Sequence, residues 1–168
     1  MPSDTTSFYC SQDFEVLLKI DISNCTSLQG MFKDTHIAEI SFSPDFNTTN
    51  IKDMSYLFSG CRSLKSIDIK HFDTRNVVNM VRMFSGAYYL TSLKITNFNT
   101  EKVTYMTEMF YYLYYLEKVD ISSFTIADIN DNFDLFSGLT LSGTLTVKRE
   151  YVNKIKTIPS KWRIIPVD

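Results

Sequence analysis

The chain has 168 residues, 44% hydrophobic and 21% charged, with a formal net charge of −2. That length sustains one domain with a real core. The near-neutral charge gives no electrostatic argument for nucleic acid or an anionic membrane, and no apolar run approaches the roughly 18 residues that a membrane-spanning helix needs.

Residues 1–13 are polar, show no periodicity, and lack the basic start and apolar run of a secretion signal; they read as a lead-in. From Phe14 the chain repeats itself. Leu17, Ile20 and Ile22 open a motif that returns as Ile37, Ile40, Phe42, then Leu64, Ile67, Ile69, then Leu90, Leu93, Ile95, then Leu116, Val119, Ile121, and last as Leu145, Val147. Short apolar–polar alternation rich in β-branched residues is a strand signal. Phe46, Phe72, Phe98 and Phe124 follow these strands, with Pro44 marking one extra residue in the second copy. Asn47-Thr48, Asp73-Thr74 and Asn99-Thr100 come next and mark turns or helix starts. The steps Val77, Met80, Met83–Phe84 fit one side of a short helix, as do Met54 with Leu57 and Met106 with Met109. Ser59-Gly60, Ser85-Gly86 and Ser137-Gly138 stand where such a helix would stop. Phe32, Phe58, Phe84, Phe110 and Phe136 lie 26 residues apart in strict register.

Each unit thus reads strand, turn, short helix, turn. A unit of this size cannot bury its apolar side alone, whereas stacked units cover one another. The sequence predicts an α/β repeat: parallel strands one copy apart on a concave face, short helices on the convex face, repeats over about residues 14–147 and a cap over 148–168. In that cap a short helix over Tyr151–Ile155 and a strand over Trp162–Ile165 are expected, with Trp162, the only tryptophan, plugging the last repeat. Residues 14–168 make one domain.

The run M-x-x-M-F-S-G, carried best by Met80, Met83, Phe84, Ser85 and Gly86, with Phe98-Asn99-Thr100 and Val103, resembles the 26-residue BspA-type leucine-rich repeat of bacterial and protist surface proteins. Met54, Phe58-Ser59-Gly60-Cys61, Leu64 and Phe72-Asp73-Thr74 match it as well. The resemblance covers about residues 28–147. It implies a leucine-rich-repeat solenoid used for binding or adhesion at a cell surface, or secreted, and not an enzyme. Departures occur where the fourth copy has Tyr111-Tyr112-Leu113 in place of Ser59-Gly60-Cys61, and the fifth has Asn132 in place of the first Met.

Catalytic chemistry finds little to work with. His36 and His71 occupy non-equivalent places in successive copies, which suits loop residues better than a base or ligand. Asp68 and Asp120 share a repeat position but stand two strands apart, about 10 Å, with Lys94 between them, wide for an acid–base pair. Phosphate-binding glycine loops and zinc motifs are missing, so no cofactor and no metal is expected. Cys10, Cys25 and Cys61 lack metal-ligand spacing; buried free thiols are the simplest reading, with a Cys10–Cys25 bridge as the alternative in an oxidising compartment. Asn24-Cys25-Thr26 and Asn47-Thr48-Thr49 fit the glycosylation acceptor pattern, which has meaning only for a protein secreted from a eukaryote.

Two candidate contact surfaces emerge. Outward strand positions form a face of small, polar side chains, with Ser66, Asp68, Lys70, Ser92, Lys94, Thr96, Lys118 and Asp120 at its centre. Seven of the ten tyrosines fall between Tyr88 and Tyr115, and Tyr88, Tyr89, Tyr111, Tyr112, Tyr114 and Tyr115 would line one aromatic edge. Other copies fill the Tyr88–Tyr89 positions with Arg62-Ser63 and Thr140-Leu141, so the scaffold does not demand aromatics there. Tyrosine is favoured in recognition surfaces because a large rigid ring also hydrogen-bonds. The expected function is a non-catalytic module binding a protein or glycan, without nucleic acid or direct membrane insertion. The alternative is a structural segment of a larger surface or self-assembling protein with no specific ligand face.

Overall fold

The structure, a computed structural model, describes residues 20–126, 134–139, 142–155 and 157–168. The lead-in, Leu17, Cys10 and the Asn132 position lie outside them. Within the described residues, 20–22 of the first copy form no strand, although Ile22 is buried.

The later copies give the expected strands: β1 (Glu39–Ser41), β2 (Ser66–Asp68), β3 (Ser92–Lys94), β4 (Lys118–Asp120) and β5 (Thr144–Lys148). β6 (Arg163–Val167) follows in the cap. Every pairing is parallel. Ile40 stands opposite Ile67, Leu93 opposite Val119, and Val119 opposite Leu145. This is the register that the repeat spacing dictates, including the extra residue at Pro44. The strands form two ladders, β1-β2 and β3-β4-β5-β6. Across the β2–β3 junction Asn97 Nδ2 donates instead to the carbonyls of Ile69 (3.2 Å) and Phe72 (3.1 Å).

Opposite the strands the expectation of short helices is wrong. The residues there form successive four-residue β-turns. Leu57 N–H donates to Met54 O, and Cys61 N–H to Phe58 O. The intervening N–H groups reach into the next copy: Met54 to Asn79 O, Tyr56 to Val81 O, Phe58 to Met83 O, Gly60 to Ser85 O. Copies beginning at Leu28, Met80 and Glu108 do the same. A helix would keep these donors inside the segment, on carbonyls four residues back. Here every second donor ties one copy to the next, so this side of the stack is a second inter-copy ladder. The third residue of each turn has positive φ, as a type II turn requires. It is glycine at Gly60 (φ 72°) and Gly86 (φ 74°), but Tyr56 (58°), Arg82 (52°) and Glu108 (55°) adopt the same conformation. The apolar steps misled because a chain of β-turns buries Met54, Leu57, Phe58 and Cys61 at the same spacing as a helix face.

The core lies between the strands and the turn ladder. The five register phenylalanines stack in one column: ring centroids lie 5.5 Å apart for Phe32–Phe58, 5.8 Å for Phe58–Phe84, 6.2 Å for Phe84–Phe110 and 5.2 Å for Phe110–Phe136. Each fully buried ring contributes roughly 1.5–3 kcal/mol by burial. Threonines close the turns after the strands. Thr74 Oγ donates to Asn99 O (2.9 Å) and accepts from Asn99 N–H (2.8 Å); Thr48 and Thr100 repeat this toward Asp73 and Thr125. These hydroxyls are buried, and each satisfies two backbone groups of the following copy.

The cap holds the expected short helix, of 3-10 type over Arg149–Lys154, and β6 parallel to β5. Trp162 is buried, and its indole lies so close to Gly143 that a Cβ there would come within 2.7 Å of the ring. Among the described residues no helix is long and apolar enough to cross a membrane.

Candidate functional site

On the strand side, the register aligns Ser41 with Asp68, Ser92 with Lys118, and Lys94 with Asp120. Ser66, Lys70, Ser92, Lys94, Thr96 and Lys118 are exposed; Asp68 and Asp120 are half-buried. Lys70 Nζ bonds the Asp68 carboxylate at 2.7 Å, and this bond with the Lys70 backbone N–H holds the Asp68 carboxyl below its ordinary range. Asp120 accepts the Ser122 N–H at 2.9 Å. The carboxylates are thus engaged singly by near neighbours and make no paired acid–base arrangement. The face carries short polar groups, the Lys70–Asp68 ion pair and the exposed Lys94 and Lys118.

The tyrosines stand elsewhere, on the loops that lead from the turn ladder back to the strands. Tyr89 (52%), Tyr112 (46%), Tyr114 (45%) and Tyr115 (40%) are exposed, and Tyr88 and Tyr111 are half-buried. Tyr89 and Tyr115, one copy apart, stack face to face with centroids 5.3 Å apart at 4°. Tyr114 meets Tyr115 edge-on at 5.3 Å, and Tyr111 meets Tyr112 at 4.2 Å. The Tyr111 phenol is raised above its usual pKa because it hydrogen-bonds the Tyr112 hydroxyl. Tyr88, Tyr89, Tyr112, Tyr114 and Tyr115 line an open cleft of about 420 Å³.

Tyr112 has the backbone conformation of Gly60 and Gly86, with φ 53°. A tyrosine at that position carries the left-handed strain that glycine avoids, roughly 1–2 kcal/mol. Its ring lies over Gly138, where a Cβ would come within 2.7 Å of it. A second cleft of about 270 Å³ adjoins the first, and Tyr88 and Tyr112 belong to both. Its floor is Ser59-Gly60 and Ser85-Gly86; Lys33, Arg62 and Arg82 stand around it. The Arg62 guanidinium lies 5.6 Å from the Tyr88 ring centroid. Arg82 pairs with Glu108, which raises the guanidinium's pKa further.

The sequence reading therefore located the tyrosines and missed the cations beside them. Arg62 was legible only as the residue one copy before Tyr88. That spacing, in a stack whose equivalent positions touch, is the signal that would have placed a cation on the ring. Among the described residues no three His, Cys, Asp or Glu side chains are grouped to hold a metal ion. Cys25 and Cys61 are free thiols, and Cys61 is buried with its Sγ donating to Phe32 O at 3.0 Å. His36 and His71 are both exposed.

A family model described as "Mycoplasma protein of unknown function, DUF285" matches the chain over residues 5–66 and again over 26–146. No curated protein and no solved structure matches it.

Proposed function

We propose that this chain, which belongs to the family described as Mycoplasma protein of unknown function, DUF285, is a non-catalytic recognition module. In this reading its repeats form a leucine-rich-repeat solenoid of the BspA type, displayed at a cell surface, that contacts a protein or glycan. The single observation that carries the reading is the tyrosine edge. Four rings stand exposed around one cleft: Tyr89, Tyr114 and Tyr115 at positions that another copy fills with Arg62 and Ser63, and Tyr112 at a position that other copies fill with Gly60 and Gly86. Exposed aromatic rings of this number cost solvation and give the stack nothing its other copies need, whereas in recognition they supply large rigid contact area with a hydroxyl at the rim. The strand face, with Lys94 and Lys118 exposed, is a secondary contact surface.

The test is retention of immobilised protein on intact host cells and on extracted surface proteins and glycans. Wild type is compared with the double variant Tyr88→Ala/Tyr114→Ala and with Lys94→Ala/Lys118→Ala on the strand face. Retention lost only in the tyrosine variant supports the reading. Equal retention of all three shows that the tyrosine edge is not the contact site.

A further inference from the structure

The two adjoining clefts differ in chemistry, and together they specify a ligand more closely than "protein or glycan". Both clefts belong to the tyrosine edge, and a ligand is assigned to them only if that edge is the contact site proposed above.

The first consideration is what the trough offers to a backbone. Gly60 N–H is taken by Ser85 O, Gly86 N–H by Tyr111 O, and Tyr112 N–H by Ser137 O. The floor has spent these donors on the neighbouring copy, so a peptide cannot add to it as a strand does to an open sheet edge. The second is size. Open clefts of about 420 Å³ and 270 Å³ are of the size that takes a ligand of one to three small rings. The third is surface character. Tyr115 covers one face of Tyr89. On its other side the equivalent position one copy earlier is Ser63, too short to cover a ring. A phenol ring with one open face and hydroxyls around it matches a pyranose, which has an apolar C–H face and a polar rim.

Charge completes the description. Three cations line the narrower cleft. Arg82 is paired with Glu108, and Lys33 stands 3.9 Å from Asp34, whose carboxylate lies over Gly60 on the cleft floor. Arg62 makes no ion pair among the described residues; its guanidinium lies over Tyr88, the residue shared by both clefts. The trough therefore has one uncompensated guanidinium at the junction with its aromatic half. A guanidinium binds a carboxylate through two parallel N–H donors.

We infer that the trough recognises a carboxylate-bearing sugar, its ring on Tyr89 and its acid on Arg62. The experiment titrates the purified chain, by calorimetry and by NMR of the tyrosine ring signals, with 3′-sialyllactose, a hyaluronan tetrasaccharide and neutral lactose. At least one acidic probe is expected to bind about tenfold or more tighter than lactose and to shift the ring signals. Arg62→Gln is expected to bring that probe to the level of lactose, and Tyr89→Ala to weaken it in a chain that stays folded, with the melting temperature lowered only by the loss of the stack on Tyr115. Failure of both acidic probes to bind, equal binding of lactose, or an acid preference that survives Arg62→Gln overturns the inference. If both acidic probes fail while cell retention still depends on Tyr88 and Tyr114, the recognition reading stands and only the sugar assignment falls. If retention is also independent of the tyrosines, both fall.

Discussion

Replacing Arg82 by alanine and, separately, by glycine tests the backbone of the turn ladder directly. Arg82 sits at φ 52° in the third position of a turn, and its N–H bonds Thr107 O at 3.0 Å. Both variants lose the ion pair to Glu108 and keep that backbone bond, so their difference isolates the effect of one Cβ. In the left-handed region a Cβ costs roughly 1–2 kcal/mol. Against this, glycine frees the unfolded chain by about 0.4–1 kcal/mol. The glycine variant should therefore be the more stable by about 0.5–1 kcal/mol. Were Met80 to Phe84 a short helix, the sign would reverse, with alanine ahead by about 1 kcal/mol. Urea unfolding followed by circular dichroism resolves a gap of this size between the two expectations. An alanine variant more stable than the glycine variant refutes the turn ladder.

Other consequences follow from the same stack. Phe84→Ala, which empties the middle of the phenylalanine column, should cost about 3–5 kcal/mol in urea unfolding; a loss under about 1 kcal/mol would mean that the column is not a continuous core. Thr74→Val keeps the shape but strands the Asn99 N–H and C=O that the hydroxyl now serves, and should cost about 2–4 kcal/mol in the same assay. Burial pushes the Cys61 thiol above its ordinary pKa, so the fold favours its protonated form. Iodoacetamide should label the half-buried Cys25 at least about tenfold faster than Cys61 near pH 8. Labelling of Cys61 should climb only as pH rises past the ordinary thiol value, and peptide mass spectrometry reads both sites; equal rates would place Cys61 outside the core.

Much of the stack is written in the order of residues. A repeat places equivalent residues at equivalent points of successive copies, so spacing alone yields the parallel register, the phenylalanine column, the exposed strand positions and the grouping of tyrosines. Even the slip at Pro44 appears in the register of Ile40 against Ile67. The cap was legible for a similar reason, since an open core end needs a large apolar plug and Trp162 is the only tryptophan. What spacing cannot state is where each backbone donor goes. Met54, Leu57 and Phe58 are buried whether the chain coils on itself or runs as successive β-turns. Only the hydrogen bonds of Tyr56 and Phe58 to the next copy, with positive φ at Tyr56, Arg82 and Glu108, decide for turns. Side-chain reach is the other matter left to the tertiary structure. Tyr88 and Arg62 are far apart in the chain, and Tyr112 takes a glycine's conformation with its ring over Gly138. Their meeting in one trough depends on the close stacking of copies, which brings a cation beside the aromatic rings only after the chain has folded.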